Sequence, residues 1–172
     1  MPGVLITKAF HQINNQGHRD LMLIPSSAHG TNPASASMAG YRVQEIPSNA
    51  RGDMDLDALR LAATPDLAGL MITLPSTLGL FDPSIAEICD VVHAAGGVVY
   101  GDGANMNALL GQVKLGALGF DIVHLNLHKT MSTPHGGGGP GAGPICVTSD
   151  LVPFLPTPIV AHEKGAAPPY RF

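Results

Sequence analysis

Short uninterrupted apolar runs, each cut off by a proline or by glycines, constrain this chain more than any other feature. Leu21 to Ile24 stops at Pro25, Ala68 to Leu74 stops at Pro75, and Val98 to Tyr100 runs into Gly101, Asp102 and Gly103. A strand buried on both faces reads this way, because neither side can carry polar residues, and such strands belong to parallel sheets covered by helices. Between the runs lie segments with apolar residues every three or four positions, the helical period. Val4 to Asn15 is one, with Val4, Leu5, Ala9 and Ile13 in step and Gly17 just beyond. Pro33 to Ala39 is a second, with Asn32 as its expected N-cap. Asp57 to Ala63 is a third. A fourth runs from a Ser84 cap through Ala95, with Ile85, Ile88, Cys89 and Val92 on one face and Gly96 and Gly97 ending it. Tyr41 to Ile46, Ile122 to Leu125 and Pro144 to Thr148 complete the expected strands. The alternation predicts an α/β fold, a mainly parallel sheet with helices on both faces.

Composition narrows the class. With 172 residues, 45% of them hydrophobic, the chain can bury one substantial core. A net charge of -4 with only 9 Lys and Arg leaves no clustered basic face, which argues against nucleic acid. No apolar run approaches the ~18 residues of a membrane span, and MPGVLITKAFHQ lacks the basic-then-apolar order of a signal peptide. Cys89 and Cys146, far apart and without CxxC spacing, read as reduced thiols. A cytoplasmic protein is the expectation, or a mitochondrial one in a eukaryote. Residues 1–150 are expected to form the domain, and the proline-rich, non-periodic 151–172 an extension toward a further region.

In an open parallel sheet, ligands bind beyond the carboxyl ends of the strands. Three loops expected there carry unusual polar residues: Ser26 to Asn32, Asp102 to Asn107, and Asn126 to His135. Lys129 follows a short apolar segment; if desolvated, its amine can attack a carbonyl, and otherwise it is a solvated loop lysine. Asp102 lies between glycines that would let a planar ligand approach, where a carboxylate could hold the pyridine nitrogen of pyridoxal phosphate protonated; the alternative is an Asx turn or helix cap. His29 could stack on a cofactor ring or hydrogen-bond within its own loop. His124 and His128, four apart on an extended segment, share a face but lack a third metal ligand. The run His135 to Gly139 can offer backbone N–H groups to an anion, or form a plain turn. Asn105, Asn107, Ser76 and Thr77 are candidate supporting hydrogen-bonders.

Four segments in order, SAHGTNPASASMAGY from Ser27, MITLPSTLGLF from Met71, DGANMNA from Asp102 and HLNLHKTMSTPHGGGGPGAGP from His124, resemble the glycine decarboxylase P-proteins of the glycine cleavage system. The resemblance implies part of the large domain of a fold-type-I pyridoxal 5'-phosphate enzyme, with the strand at Pro144 to Thr148 antiparallel. It implies Lys129 as the Schiff-base lysine, Asp102 as partner of the pyridine nitrogen, His29 stacked on the ring and Ala104 against the opposite face. His128 and Thr31 would complete the cofactor pocket. The implied reaction is decarboxylation of glycine, with the aminomethyl group passed to the lipoyl group of H-protein. The other P-protein half or subunit would be a further partner, in an oligomer. The family's phosphate-binding glycine loop would lie upstream of the first helix and its small domain downstream, so an internal fragment, inactive alone, is expected. Leu115, Gly116 and Ala117 stand where relatives read Pro-Gly-Asp. Another fold-type-I enzyme, an aldolase or transaminase, and a non-catalytic α/β module are the alternatives.

Overall fold

A computed structural model describes residues 1–135, 137 and 142–157. One six-stranded sheet organises them, in the order β2-β1-β3-β4-β5-β6. The strands are β1 (Leu21–Pro25), β2 (Arg42–Ile46), β3 (Leu67–Thr73), β4 (Val98–Gly103), β5 (Ile122–Leu125) and β6 (Ile145–Val147). β1 to β5 are parallel, and β6 pairs antiparallel with β5, as expected. Every residue of β1, β3 and β4 is buried, which is why they open as apolar runs, with Thr73 and Asp102 as the buried polar exceptions toward the ends of β3 and β4; β2, at the edge, is largely exposed and reads as alternating.

Helices cover both faces. On one side α1 (Pro2–Ile13) and α2 (Thr31–Met38) pack Val4, Ile6, Ala36 and Ala39 against Met22, Ile24, Met71, Tyr100 and Ile122. On the other, α3 (Leu56–Ala62) and α4 (Ile85–Ala94) pack Leu59, Ile85, Ile88 and Val92 against Leu23, Leu70, Ile72 and Val99. Each such side chain taken fully from water contributes about 1.5–3 kcal/mol, so these two apolar layers hold the sheet together. A short 3-10 segment, Ser149–Phe154, continues on the α1 side: Leu151 is buried there and Phe154 meets Phe10 edge-on at 5.4 Å. A single-turn helix, α5 (Leu127–Thr130), leaves β5. Among the described residues no helix is long and apolar enough to cross a membrane.

Three local expectations are corrected. α2 is capped at Gly30, not at Asn32, which lies inside the first turn with its side chain buried. Ser84 occupies the N-cap of α4 but makes no capping bond through its hydroxyl; Asp82 Oδ1 accepts the Ser84 N–H at 2.9 Å, and Oδ2 accepts that of Met54 at 2.9 Å. The longer reach of the aspartate lets one buried carboxylate serve a helix entry and a distant loop together. Finally, β4 does not end at Tyr100. Gly101 and Gly103 continue it, because a Cβ at Gly101 would lie 2.7 Å from the Phe120 ring and one at Gly103 2.1 Å from the His124 carbonyl oxygen. These glycines make room for the protein's own neighbours rather than for a planar ligand.

Candidate functional site

The chain runs from β1 to β2 on one side and then crosses back to β3 on the other, so the loops after β1 and β3 separate at the carboxyl edge of the sheet. A cleft of about 730 Å³, open to solvent, lies at this edge. His29 and Thr31 reach it from the loop after β1 and the start of α2, Thr73 and Asp102 from the ends of β3 and β4, Ala104 from the turn that follows, and Lys129 from α5. Asn32, Thr77, Asn105, His124 and Asn126 complete the lining.

Asp102 is the one buried ionisable group in this lining, at 6% exposure. Its Oδ1 accepts the Ala104 N–H at 3.0 Å, which is the Asx turn of the plainer reading, and its Oδ2 accepts the Thr73 hydroxyl at 3.4 Å. His124 Nε2 stands 3.5 Å from Oδ1. The site is therefore a strand carboxylate bonded from β3 and flanked from β5, not a residue on a loop.

Lys129 is exposed, in contrast to the desolvated lysine considered from the sequence, and its Nζ makes no hydrogen bond or ion pair with the described residues. The reason is local: α5 is one turn long and stands clear of the apolar layers, so the lysine stem extends over the cleft. His29 is likewise exposed, and its Nδ1 accepts the Thr31 N–H at 3.1 Å, which leaves the ring proton on Nε2. Asn105 donates to the carbonyls of Pro75 at 2.9 Å and Ser76 at 3.3 Å, and Thr77 donates to the Ser27 carbonyl, so the loop after β3 is tied to both of its neighbours.

His128 does not line the cleft. It lies on α5 rather than on the strand of His124, and meets His135 edge-on at 4.3 Å. Burial, then the neighbouring His135 and Lys129, hold its imidazole below the ordinary histidine value. Asn107 is exposed and outside the lining. Of the run His135 to Gly139, residues Gly136, Gly138 and Gly139 lie outside the described residues. Sequence reasoning missed Thr73 altogether and weighed His124 only as a metal ligand; both are beside Asp102 through strand register, which no local motif encodes.

A family model described as aminotransferase class-V matches residues 6–150. The chain belongs to the aminotransferase class-V family. Within that family it is 58% identical over 163 residues to the probable glycine dehydrogenase (decarboxylating) subunit 2 of Nitrosomonas europaea, covering 95% of this chain and 34% of that protein. To the protein of the same name from Pyrococcus furiosus it is 57% identical over 162 residues, covering 94% and 32%. This class-V chain thus spans about a third of the length of the curated relatives it matches. Among solved structures, a glycine decarboxylase (P-protein) of the glycine cleavage system in inhibitor-bound form matches with a TM-score of 0.69 at 21% identity, over 93% of this chain and 36% of that one. A cysteine desulfurase from Escherichia coli matches with a TM-score of 0.69 at 23% identity, over 90% and 38%. These two likenesses are of fold, and the fold is the mainly parallel α/β sheet expected of part of a fold-type-I large domain.

Proposed function

We propose that this chain carries the cofactor-facing side of the catalytic centre of a pyridoxal 5'-phosphate-dependent glycine dehydrogenase (decarboxylating). The observation that carries the reading is that Asp102, near the end of β4, and Lys129, on α5 beyond β5, line one cleft. The donor set fits the cofactor: a buried carboxylate for a protonated ring nitrogen, a primary amine for an aldehyde, a flat imidazole, and a small side chain that leaves space. The choice of glycine rests on relatives 55–60% identical that are named for it, since fold alone does not separate it from desulfurase chemistry.

Lys129 would be the covalent anchor. Asp102 would accept the ring N–H, its two oxygens held in place by the Thr73 hydroxyl and the Ala104 N–H. His29 would lie on one face of the ring, with Ala104 leaving room at the other. Thr31 would line the pocket, and His128, outside the lining, would shape α5. Bound pyridoxal phosphate supplies an electron sink for the electrons released with carbon dioxide. The proposed acceptor is the lipoyl group of H-protein, with the other P-protein half or subunit as oligomeric partner and the cytoplasm as compartment.

The test is reductive trapping in the full-length enzyme that contains this sequence. Borohydride treatment after loading with pyridoxal phosphate, followed by peptide mapping, should place a pyridoxyl group on Lys129. Lys129→Ala should lose both the label and aminomethyl transfer to lipoylated protein. A label on another lysine, or keto-acid exchange in place of aminomethyl transfer, refutes the reading.

A further inference from the structure

Thr73, Asp102 and His124 form a row across three strands. Register pairs Thr73 on β3 with Asp102 on β4, and Asp102 with His124 on β5, so all three side chains leave the same face at the cleft. Thr73 and Asp102 are each 6% exposed. A buried carboxylate needs hydrogen-bond donors for its oxygens. The Thr73 hydroxyl supplies one donor, at 3.4 Å from Oδ2, and the Ala104 N–H another, at 3.0 Å from Oδ1. His124 Nε2, 3.5 Å from Oδ1, can donate only when it carries the ring proton. Its Nδ1 is buried and has no hydrogen-bond partner among the described residues, so no competing contact turns the ring away from Asp102. The Tyr100 ring, 6.0 Å away and tilted, flanks it from one side.

We propose that Thr73 and His124 are positioning residues that fix the Asp102 carboxylate from both sides and keep it turned toward the cleft. The inference rests on the assignment of Asp102 to the ring nitrogen. Backbone rigidity alone does not fix a carboxylate, whose χ angles stay free on a strand. The hydroxyl bond from Thr73 on one side and the His124 ring 3.5 Å from Oδ1 on the other restrict that freedom, and the outer partners of metal ligands, which orient their groups in the same way, change affinity by about 10–100-fold when they are lost.

The experiment compares Asp102→Asn, Thr73→Val, Thr73→Ser and His124→Leu in the full-length enzyme, reading the dissociation constant of pyridoxal phosphate, the absorbance band of the bound cofactor, and melting of the apoenzyme. Asp102→Asn should weaken binding and move the band. Thr73→Val and His124→Leu should move both in the same direction, with binding about tenfold weaker, while Thr73→Ser behaves as wild type and the apoenzymes melt alike. If Asp102→Asn changes both readouts but Thr73→Val and His124→Leu do not, the inference fails and the Asp102 assignment stands. If Thr73→Ser does not rescue, or the losses track apoenzyme melting, the two residues are merely structural and the inference fails. An Asp102→Asn enzyme indistinguishable from wild type overturns the Asp102 assignment and the inference with it.

Discussion

Gly103→Ala tests the link between sheet packing and site most directly. The added methyl would lie 2.1 Å from the His124 carbonyl oxygen and 3.2 Å from a Leu125 methyl. A carbon and an oxygen in contact need about 3.3–3.6 Å, so β4 and β5 must separate locally by more than an ångström. The obstacle is backbone, and no rotamer change relieves it. The strands pair Asp102 with His124 and Gly103 with Leu125, so the ladder weakens where the site is built. Overpacking of about 1–3 kcal/mol, plus about 1 kcal/mol for a lost ladder bond, gives roughly 2–4 kcal/mol. For a chain of this size each kcal/mol moves the melting midpoint by about 2–4 °C, so a drop of roughly 5–15 °C is expected by calorimetry. Gly116→Ala is the control: its added methyl meets nothing within 4 Å, and it should stay within about 0.5 kcal/mol of wild type. Equal melting of Gly103→Ala and Gly116→Ala would refute the packing argument.

Two further outcomes follow from the same structure. Asp55 caps α3 by accepting the N–H groups of Asp57 and Ala58, each at 3.0 Å, so Asp55→Ala should lose about 1 kcal/mol in urea unfolding, whereas Ser84→Ala, with no capping bond to lose, should lose almost nothing. Burial, then Asp121 and Asp90, push the Cys89 thiol from its ordinary value of 9.0 up to about 12. Between those values the unfolded chain has lost a proton that the native chain keeps, so stability must fall as pH rises through this window. Cys89→Ala should flatten the start of that decline in melts between about pH 9 and 10, before the tyrosines ionise; an unchanged slope would count against a buried neutral thiol.

What the sequence made legible depends on how local the cause was. β1 and β3 were readable because burial on both faces leaves an apolar run with sharp ends. The end of β4 was not, since Gly-Asp-Gly resembles a turn until Phe120 and the β5 backbone are seen to require the glycines. Ser84 was legible as the N-cap position of α4, but the bond that holds it was not, because Ser84 and Asp82 both carry suitable oxygens and the second bond of Asp82, to Met54, is long-range. Lys129, Asp102 and His29, singled out from short motifs, and Ala104, implied by the resemblance, line a single cleft. The exposure of Lys129 and the displacement of His128 were not legible, because both depend on how little of α5 the core covers.

The contrast between the two central groups has a physical rationale under the proposed function. A carboxylate that must stabilise one protonation state of a ring works best preorganised, and Asp102 sits inside a strand with donors at both oxygens. An amine that anchors a group and is then displaced from it needs freedom instead. Lys129 has it, on a one-turn helix with an exposed stem and no partner among the described residues for its Nζ. Ordering such a side chain costs up to about 2 kcal/mol of rotamer entropy, which a covalent bond overcomes and a surface contact does not. Under that proposal the sheet supplies rigidity where charge is to be fixed, and the exposed single turn after β5 leaves the lysine stem unrestrained where a bond is to form and break.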